Sequence, residues 1–292
     1  MAALILDGKA LARKIRGEVR DEVGRLRGLT GRVPGLTVVL VGDVAASQVY
    51  VRNKEAASLE AGMRGEILRL PADVSEGAVL ATIDRLNADP AVHGILVQLP
   101  LPGHVDDLKV IERIDPRKDV DGFHPANAGL LAIGRPRFVP CTPLGIRELL
   151  VRSGIETRGV HAVILGRSQI VGKSMALLLL GKGPGGDATV TVCHAATGDI
   201  ESFTRQADLL IVAVGRAEFL PARAIKPGAV VIDVGMNRRA DGRLCGDVEA
   251  AGAAEVASWI TPVPGGVGPM TVAMLLRNAV DAFRGLEVGP GV

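Results

Sequence analysis

The sequence predicts an α/β protein of two domains, and three observations carry that expectation. Short aliphatic runs alternate with stretches of helical periodicity. At 292 residues the chain is longer than one compact core usually takes. An aperiodic stretch with three prolines, "GRPRFVPCTP" (134–143), interrupts the alternation near the middle. Hydrophobic residues are 48% of the chain and aromatics only 2%, so the core has to be aliphatic.

The strands are read at "LTVVLV" (36–41), "GILVQL" (94–99), "VHAVIL" (160–165), "ATVTVC" (188–193), "DLLIVAV" (208–214) and "AVVIDV" (229–234). They are short and rich in Val, Ile and Leu, as strands covered on both faces of a parallel sheet are. Between them, helices are read over 8–28, 47–61, 75–88, 143–153, 171–180 and 270–284. "GKGPGGDA" (181–188) reads as a tight helix-to-strand connection, and "TPVPGGVGPMT" (261–271) as a second crossing before the last helix.

Bulk properties exclude several classes. A net charge of +2 gives no nucleic-acid surface. Cys141, Cys193 and Cys245 are odd in number and far apart, so no disulfide framework is expected. The five histidines form no ligand spacing with one another or with cysteine, so no metal is expected. The chain shows neither a signal-peptide pattern nor an apolar run long enough to span a bilayer. A cytoplasmic protein that meets no membrane is the expectation.

"GRSQIVGKS" (166–174) has two readings. It ends in Gly-Lys-Ser like a phosphate-binding P-loop, yet five residues separate Gly166 from Gly172 where that loop needs four. The extra residue would spoil the closed nest of N–H groups around a phosphate. A strand–turn–helix unit fits instead. Gly166 releases the chain from the strand, Gly172 lets the helix come close, and the helix N-terminus favours an anion. A plain βα turn would give the same pattern. Gly166, Arg167, Ser168, Ile170, Val171 and Gly172 are the candidate cofactor residues here, with His194 and Thr197 after the next strand and Gly215 after "DLLIVAV". That next strand ends at Cys193-His194 with no acid before Asp199, whereas NAD sites usually place a carboxylate there. With Arg167 in the first loop, NADP is favoured over NAD.

"SQVYVRNKEAASLEAG" (47–62) reads as a helix with Ser47, Tyr50 and Lys54 on one face. A serine cap, a boundary tyrosine and a solvated lysine would look alike. However, Tyr50 is the chain's one tyrosine, and the helix follows strand 36–41 to the sheet edge where ligands gather. Gln98 interrupts an apolar run, either as an amide at the sheet mouth or as an edge residue facing water. "DPRKDVDGFHP" (115–125) reads as a polar loop, in which Asp121 is either a solvated turn residue or a carboxylate that grips an amidine-like edge.

Together these segments resemble the bifunctional methylenetetrahydrofolate dehydrogenase/methenyltetrahydrofolate cyclohydrolase family. The resemblance runs almost end to end and rests on "DGKALARKIR", "GILVQLPLP", "KDVDGFHPANAGLL", "ILGRSQIVGKSMALLL", "VIDVGMN" and, most specifically, "PVPGGVGPMT". It implies an N-terminal folate-binding catalytic domain (1–140, with the helix 269–292 packing back on it), a Rossmann-like NADP domain (141–268) and a cleft between them. It also implies hydride transfer to NADP, hydrolysis of the resulting cation, and a homodimer. By the family's pattern Lys54 moves the proton of hydrolysis, Tyr50 stacks on the folate with Ser47 nearby, Gln98 supports Lys54 and Asp121 holds the pterin. Pro264, Gly265 and Gly266 would pass close to the folate. Three positions depart from that pattern. Ser174 stands where the family has a helix-starting proline. Ala195 and Ala196 stand where many members have a serine and a basic residue, which keeps NAD open as a cofactor. "VGDVAAS" lacks a proline. A nucleoside triphosphatase, a non-catalytic nucleotide binder and a monofunctional dehydrogenase are the competing readings.

Overall fold

The computed structural model describes residues 2–43 and 45–288, and of residues 45–47, 49 and 50 the backbone alone. Among the described residues the strands are β1 (Leu4–Ile5), β2 (Gly35–Val41), β3 (Arg64–Leu70), β4 (Gly94–Val97), β5 (His161–Leu165), β6 (Thr189–Cys193), β7 (Leu209–Val212), β8 (Val230–Asp233), β9 (Asn237–Arg238), β10 (Leu244–Cys245) and β11 (Trp259–Ile260). The helices are α1 (Gly8–Thr30), α2 (Ala45–Glu60), α3 (Glu76–Ala88), α4 (Asp107–Arg113), α5 (Pro125–Ala132), α6 (Cys141–Arg152), α7 (Ser174–Leu180), α8 (Ile200–Thr204), α9 (Ala250–Val256) and α10 (Val267–Phe283).

The chain forms two compact units. One comprises Arg13–Cys141 and Val272–Val292, the other Met1–Ala12 and Thr142–Thr271. The first holds a three-stranded parallel sheet in the order β3-β2-β4. Every residue of central β2 is buried, which is why "GLTVVLV" is apolar without alternation. Val39, Val79, Ile83, Val97 and Val110 belong to its core.

The second unit holds a six-stranded parallel sheet in the order β1-β11-β8-β7-β5-β6. From β5 the chain winds outward to β6, then returns to the other side of β5 as β7. That reversal puts a topological switch point between β5 and β7, where open α/β sheets bind ligands outside the carboxyl ends of the strands. Val163, Leu165, Leu210, Val212 and Val231 fill its core.

The structure differs from the sequence reading in several respects. Residues 4–6, expected with the first domain, join the six-stranded sheet. The reason is β1, which pairs with β11 (Leu4 opposite Trp259) and is extended by a bond from Leu6 N to Ile260 O of 2.9 Å. The chain returns to the first unit at Val272 rather than at 269. The helix expected over 171–180 starts as a π-turn over Gln169–Lys173 and becomes α-helical at Ser174. Strand β3 escaped notice because "RGEILRL" puts Arg64, Glu66 and Arg69 along a sheet edge, where alternating charge is tolerated.

Candidate active site

In the first unit, β2 and β4 run parallel side by side, with Val39 of β2 opposite Val97 at the end of β4. Helix α2 follows β2 and carries Lys54. Gln98 follows β4, its backbone N–H still bonded to Val39 O at 2.9 Å. The Lys54 Nζ donates to Gln98 Oε1 at 3.0 Å, and Gln98 Nε2 donates to Leu99 O at 2.8 Å. The second bond orients the amide, so its oxygen faces the amine. Both side chains are half-buried. Gln98 is therefore an amide held at the sheet mouth. The side chains of Ser47 and Tyr50 lie outside the described residues.

Asp121 sits in the loop that follows the turn 115–118, also half-buried. Burial pushes its carboxyl up to about 6; the Lys54 ammonium opposes this and the neighbouring Asp119 charge adds to it. Such a group changes protonation near neutral pH. An amine held by an amide and an acid of this kind, within electrostatic reach of each other, can together move a proton and bind a ligand edge that offers N–H donors.

The loop around Asp121 is pinned from three sides by residues that sequence reasoning missed. Buried Lys118 donates to the carbonyls of Leu86 (3.1 Å), Asn87 (2.7 Å) and Asp89 (2.8 Å), closing the end of α3. Buried Asp119 accepts from Phe123 N, His124 N and Asn127 Nδ2, while burial raises its own pKa. Asn278 on α10 donates to Val120 O at 2.8 Å and Val139 O at 3.0 Å. The Cys141 thiol, 3.8 Å from Asp121 Oδ1, is pushed well up by burial and by that carboxylate. The polar run "RKDVDG" was the one available signal. Nothing in the local sequence around Asn278 marks it.

In the second unit, the loop 166–174 connects β5 to α7. Gly166 has φ +117 and donates its N–H to Cys193 O at 2.8 Å; a side chain there would overlap Ala213 O at the end of β7. A Cβ on Gly172 would overlap Gly166 O, so the turn and the helix start are in backbone contact. Ser168 Oγ accepts from Val171 N at 3.2 Å. Ser174 Oγ donates to Gln169 O at 2.9 Å, satisfying a carbonyl of the π-turn. Val171 is buried, while Arg167, Ser168 and Ile170 are exposed. Arg167 has no hydrogen-bond or ion-pair partner among the described residues. At the end of β6, Thr197 Oγ1 accepts from His194 N, and His194 Nδ1 accepts from Ala196 N. Ala195 and Ala196 are exposed there. Gly215, exposed and at φ +69, follows β7. This cradle of close-packed glycines beside a free guanidinium fits a dinucleotide with an extra phosphate.

Also in this unit, the turn 262–266 closes through Gly266 N to Pro262 O at 2.8 Å, and Gly8 at the start of α1 lies so close that a Cβ on it would overlap Gly266 O. Pro264 and Gly265 are part of that turn.

Two family models match the chain. "Tetrahydrofolate dehydrogenase/cyclohydrolase, catalytic domain" covers residues 6–121, and "Tetrahydrofolate dehydrogenase/cyclohydrolase, NAD(P)-binding domain" covers residues 140–286. The chain is 56% identical over 282 residues to the bifunctional protein FolD of Polaromonas naphthalenivorans, covering 97% of this chain and 99% of that one. A crystal structure of the bifunctional FolD dehydrogenase/cyclohydrolase of Campylobacter jejuni is 48% identical with a TM-score of 0.93, covering 96% of this chain and 98% of that one. The Trypanosoma brucei dehydrogenase-cyclohydrolase, complexed with NADP cofactor and inhibitor, is 42% identical with a TM-score of 0.92, covering 97% and 98%.

Proposed function

Because the chain belongs to the tetrahydrofolate dehydrogenase/cyclohydrolase family, we propose that it oxidises 5,10-methylenetetrahydrofolate to the 5,10-methenyl cation with NADP and then hydrolyses that cation to 10-formyltetrahydrofolate. The observation that carries this reading is the Lys54–Gln98 pair at 3.0 Å beside a carboxyl raised to about 6. NADP, when bound, supplies the acceptor for the hydride that leaves the methylene carbon. That step leaves a cation and asks no acid–base work of the protein, so the residues serve it by positioning.

Hydrolysis does need a proton carrier. In its neutral amine form Lys54 takes a proton from the water that attacks the methenyl carbon. It returns a proton to the ring nitrogen when the carbon–nitrogen bond opens. Gln98 keeps the amine in place for both transfers. Asp121 accepts hydrogen bonds from the pterin edge. Tyr50 stacks on the folate.

Arg167 pairs with the 2′-phosphate, which favours NADP. NAD remains the weaker partner, since Ala195 offers neither hydroxyl nor charge. The six-stranded sheet leaves one edge of β6 unpaired, which suits a homodimer through this unit. The three cysteines are free and buried, which suits the reducing cytoplasm. Among the described residues no helix is long and apolar enough to cross a membrane.

The test is absorbance of the purified protein with methylenetetrahydrofolate, comparing NADP with NAD. Reduction of NADP followed by decay of the methenyl product is expected. Tight binding of ATP with Mg²⁺ and no response to either dinucleotide would refute the reading.

A further inference from the structure

The Asp247 side chain, wholly buried in the second unit, is saturated with hydrogen bonds that the reaction does not explain. Its Oδ2 accepts from Val214 N at 2.7 Å and Gly215 N at 2.9 Å. Its Oδ1 accepts from Arg216 N at 2.9 Å and Asn237 Nδ2 at 2.8 Å. Three successive backbone N–H groups thus converge on one carboxylate, an arrangement that elsewhere binds external anions. Here the protein's own side chain fills the nest, and the turn's outer face, with Gly215 and Arg216 exposed, is left open.

Asp247 is itself held rigidly. Its backbone N–H and those of Gly235 and Val248 donate to the buried Asp233 carboxylate at the end of β8, each at 2.9 Å. The Asp247 carbonyl accepts from Leu220 N at 2.9 Å. The turn it grips leaves β7 beside Gly166, the residue that follows β5, at the switch point of the sheet.

We propose that Asp247 is a positioning residue of the dinucleotide site, holding the Val214–Arg216 turn in the shape against which the cofactor lies. The inference rests on the reading that this unit binds NADP.

Asp247→Asn tests it. The amide is isosteric, but its NH₂ leaves backbone N–H groups unpaired either way: Val214 and Gly215 in one orientation, Arg216 in the other. The readouts are NADP affinity by calorimetry, cyclohydrolase rate on the methenyl compound without dinucleotide, and the thermal midpoint. We expect NADP to bind at least about tenfold more weakly, roughly 1.4 kcal/mol, with the cyclohydrolase rate within about twofold of wild type. Asn237→Ala removes only one of the four bonds and should weaken NADP by about two- to fivefold. It decides the matter if Asp247→Asn gives no soluble protein. Unchanged NADP affinity in the folded variant, or equal loss of both functions with a lowered midpoint, would overturn the positioning role. A wild-type protein that binds no NADP at all would instead remove the parent reading.

Discussion

Around Lys54 the chemistry belongs to side chains: an amine, an amide and a carboxyl whose mutual bonds decide what each can do. Around Gly166 it belongs to the backbone, through glycines that admit close contact and N–H groups turned by a buried carboxylate. The first kind of site fails when a functional group is deleted. The second fails when a methyl group is added. Four experiments test how far that contrast goes.

The largest effect is expected at Lys54. Replacing it by Met should lower cyclohydrolase turnover by roughly 10²–10⁴-fold, the range for loss of a positioned acid–base group. NADP reduction should survive in part, because hydride transfer asks for no proton. Equal retention of both activities would break the assignment.

Arg167→Ala should cut efficiency with NADP by roughly 10- to 150-fold, from the loss of a charge-assisted bond of about 1.5–3 kcal/mol. NAD should hardly respond. Because Arg167 is exposed, the wild-type preference should shrink at high salt. A variant that loses both cofactors equally would leave the loop a role in the pyrophosphate alone.

Gly172→Ala adds one methyl group against Gly166 O, which belongs to backbone and cannot swing away. Overpacking of this kind costs about 1–3 kcal/mol, so NADP KM should rise roughly tenfold while hydrolysis is spared. Unchanged kinetics with NADP would show that the cradle has slack.

The smallest effect concerns stability. Asp121 keeps its proton up to about 6 in the folded protein against an ordinary 3.8, so folding binds a proton between those values. Stability attributable to this group therefore falls as pH rises from 3.8 to about 6 and stays low above it. Asp121→Asn removes the penalty. It should be more stable than wild type by about 1 kcal/mol at pH 7, after allowance for solvent screening, and equal to it below about pH 4. Denaturant melts across that range measure the gap, and a gap that widens toward low pH would reverse the sign.

The same contrast governs what could be read from the sequence. Lys54, Gln98 and Asp121 stood out because each breaks a local pattern, an amide in an apolar run or an amine on a helix face. The strands of the six-stranded sheet were legible wherever burial on both faces made them continuously aliphatic, as in β5, β7 and β8. The two-residue strands β1 and β11 were not, since two residues carry no period and β1 finds its partner over 250 positions away in the chain. Lys118, Asp119, Asn278 and Asp247 were hidden for a related reason. Each is a polar residue buried by hydrogen bonds that form only when the chain folds, and composition cannot distinguish that from a solvated one.

Neither unit is a continuous stretch of chain. The sheet that contains β1 is completed by β11, and the loop that carries Asp121 is braced by Asn278. On the ribosome the first 141 residues emerge with β1 still lacking its partner and the carbonyls of Val120 and Val139 still lacking theirs. Both units then close late, once β11 and Asn278 have appeared, so they fold in one joint event instead of two successive ones. A nascent chain arrested before Trp259 should be protease-sensitive in both units, and cutting the gene at the boundary near Thr142 should yield two incomplete halves that regain structure only when mixed.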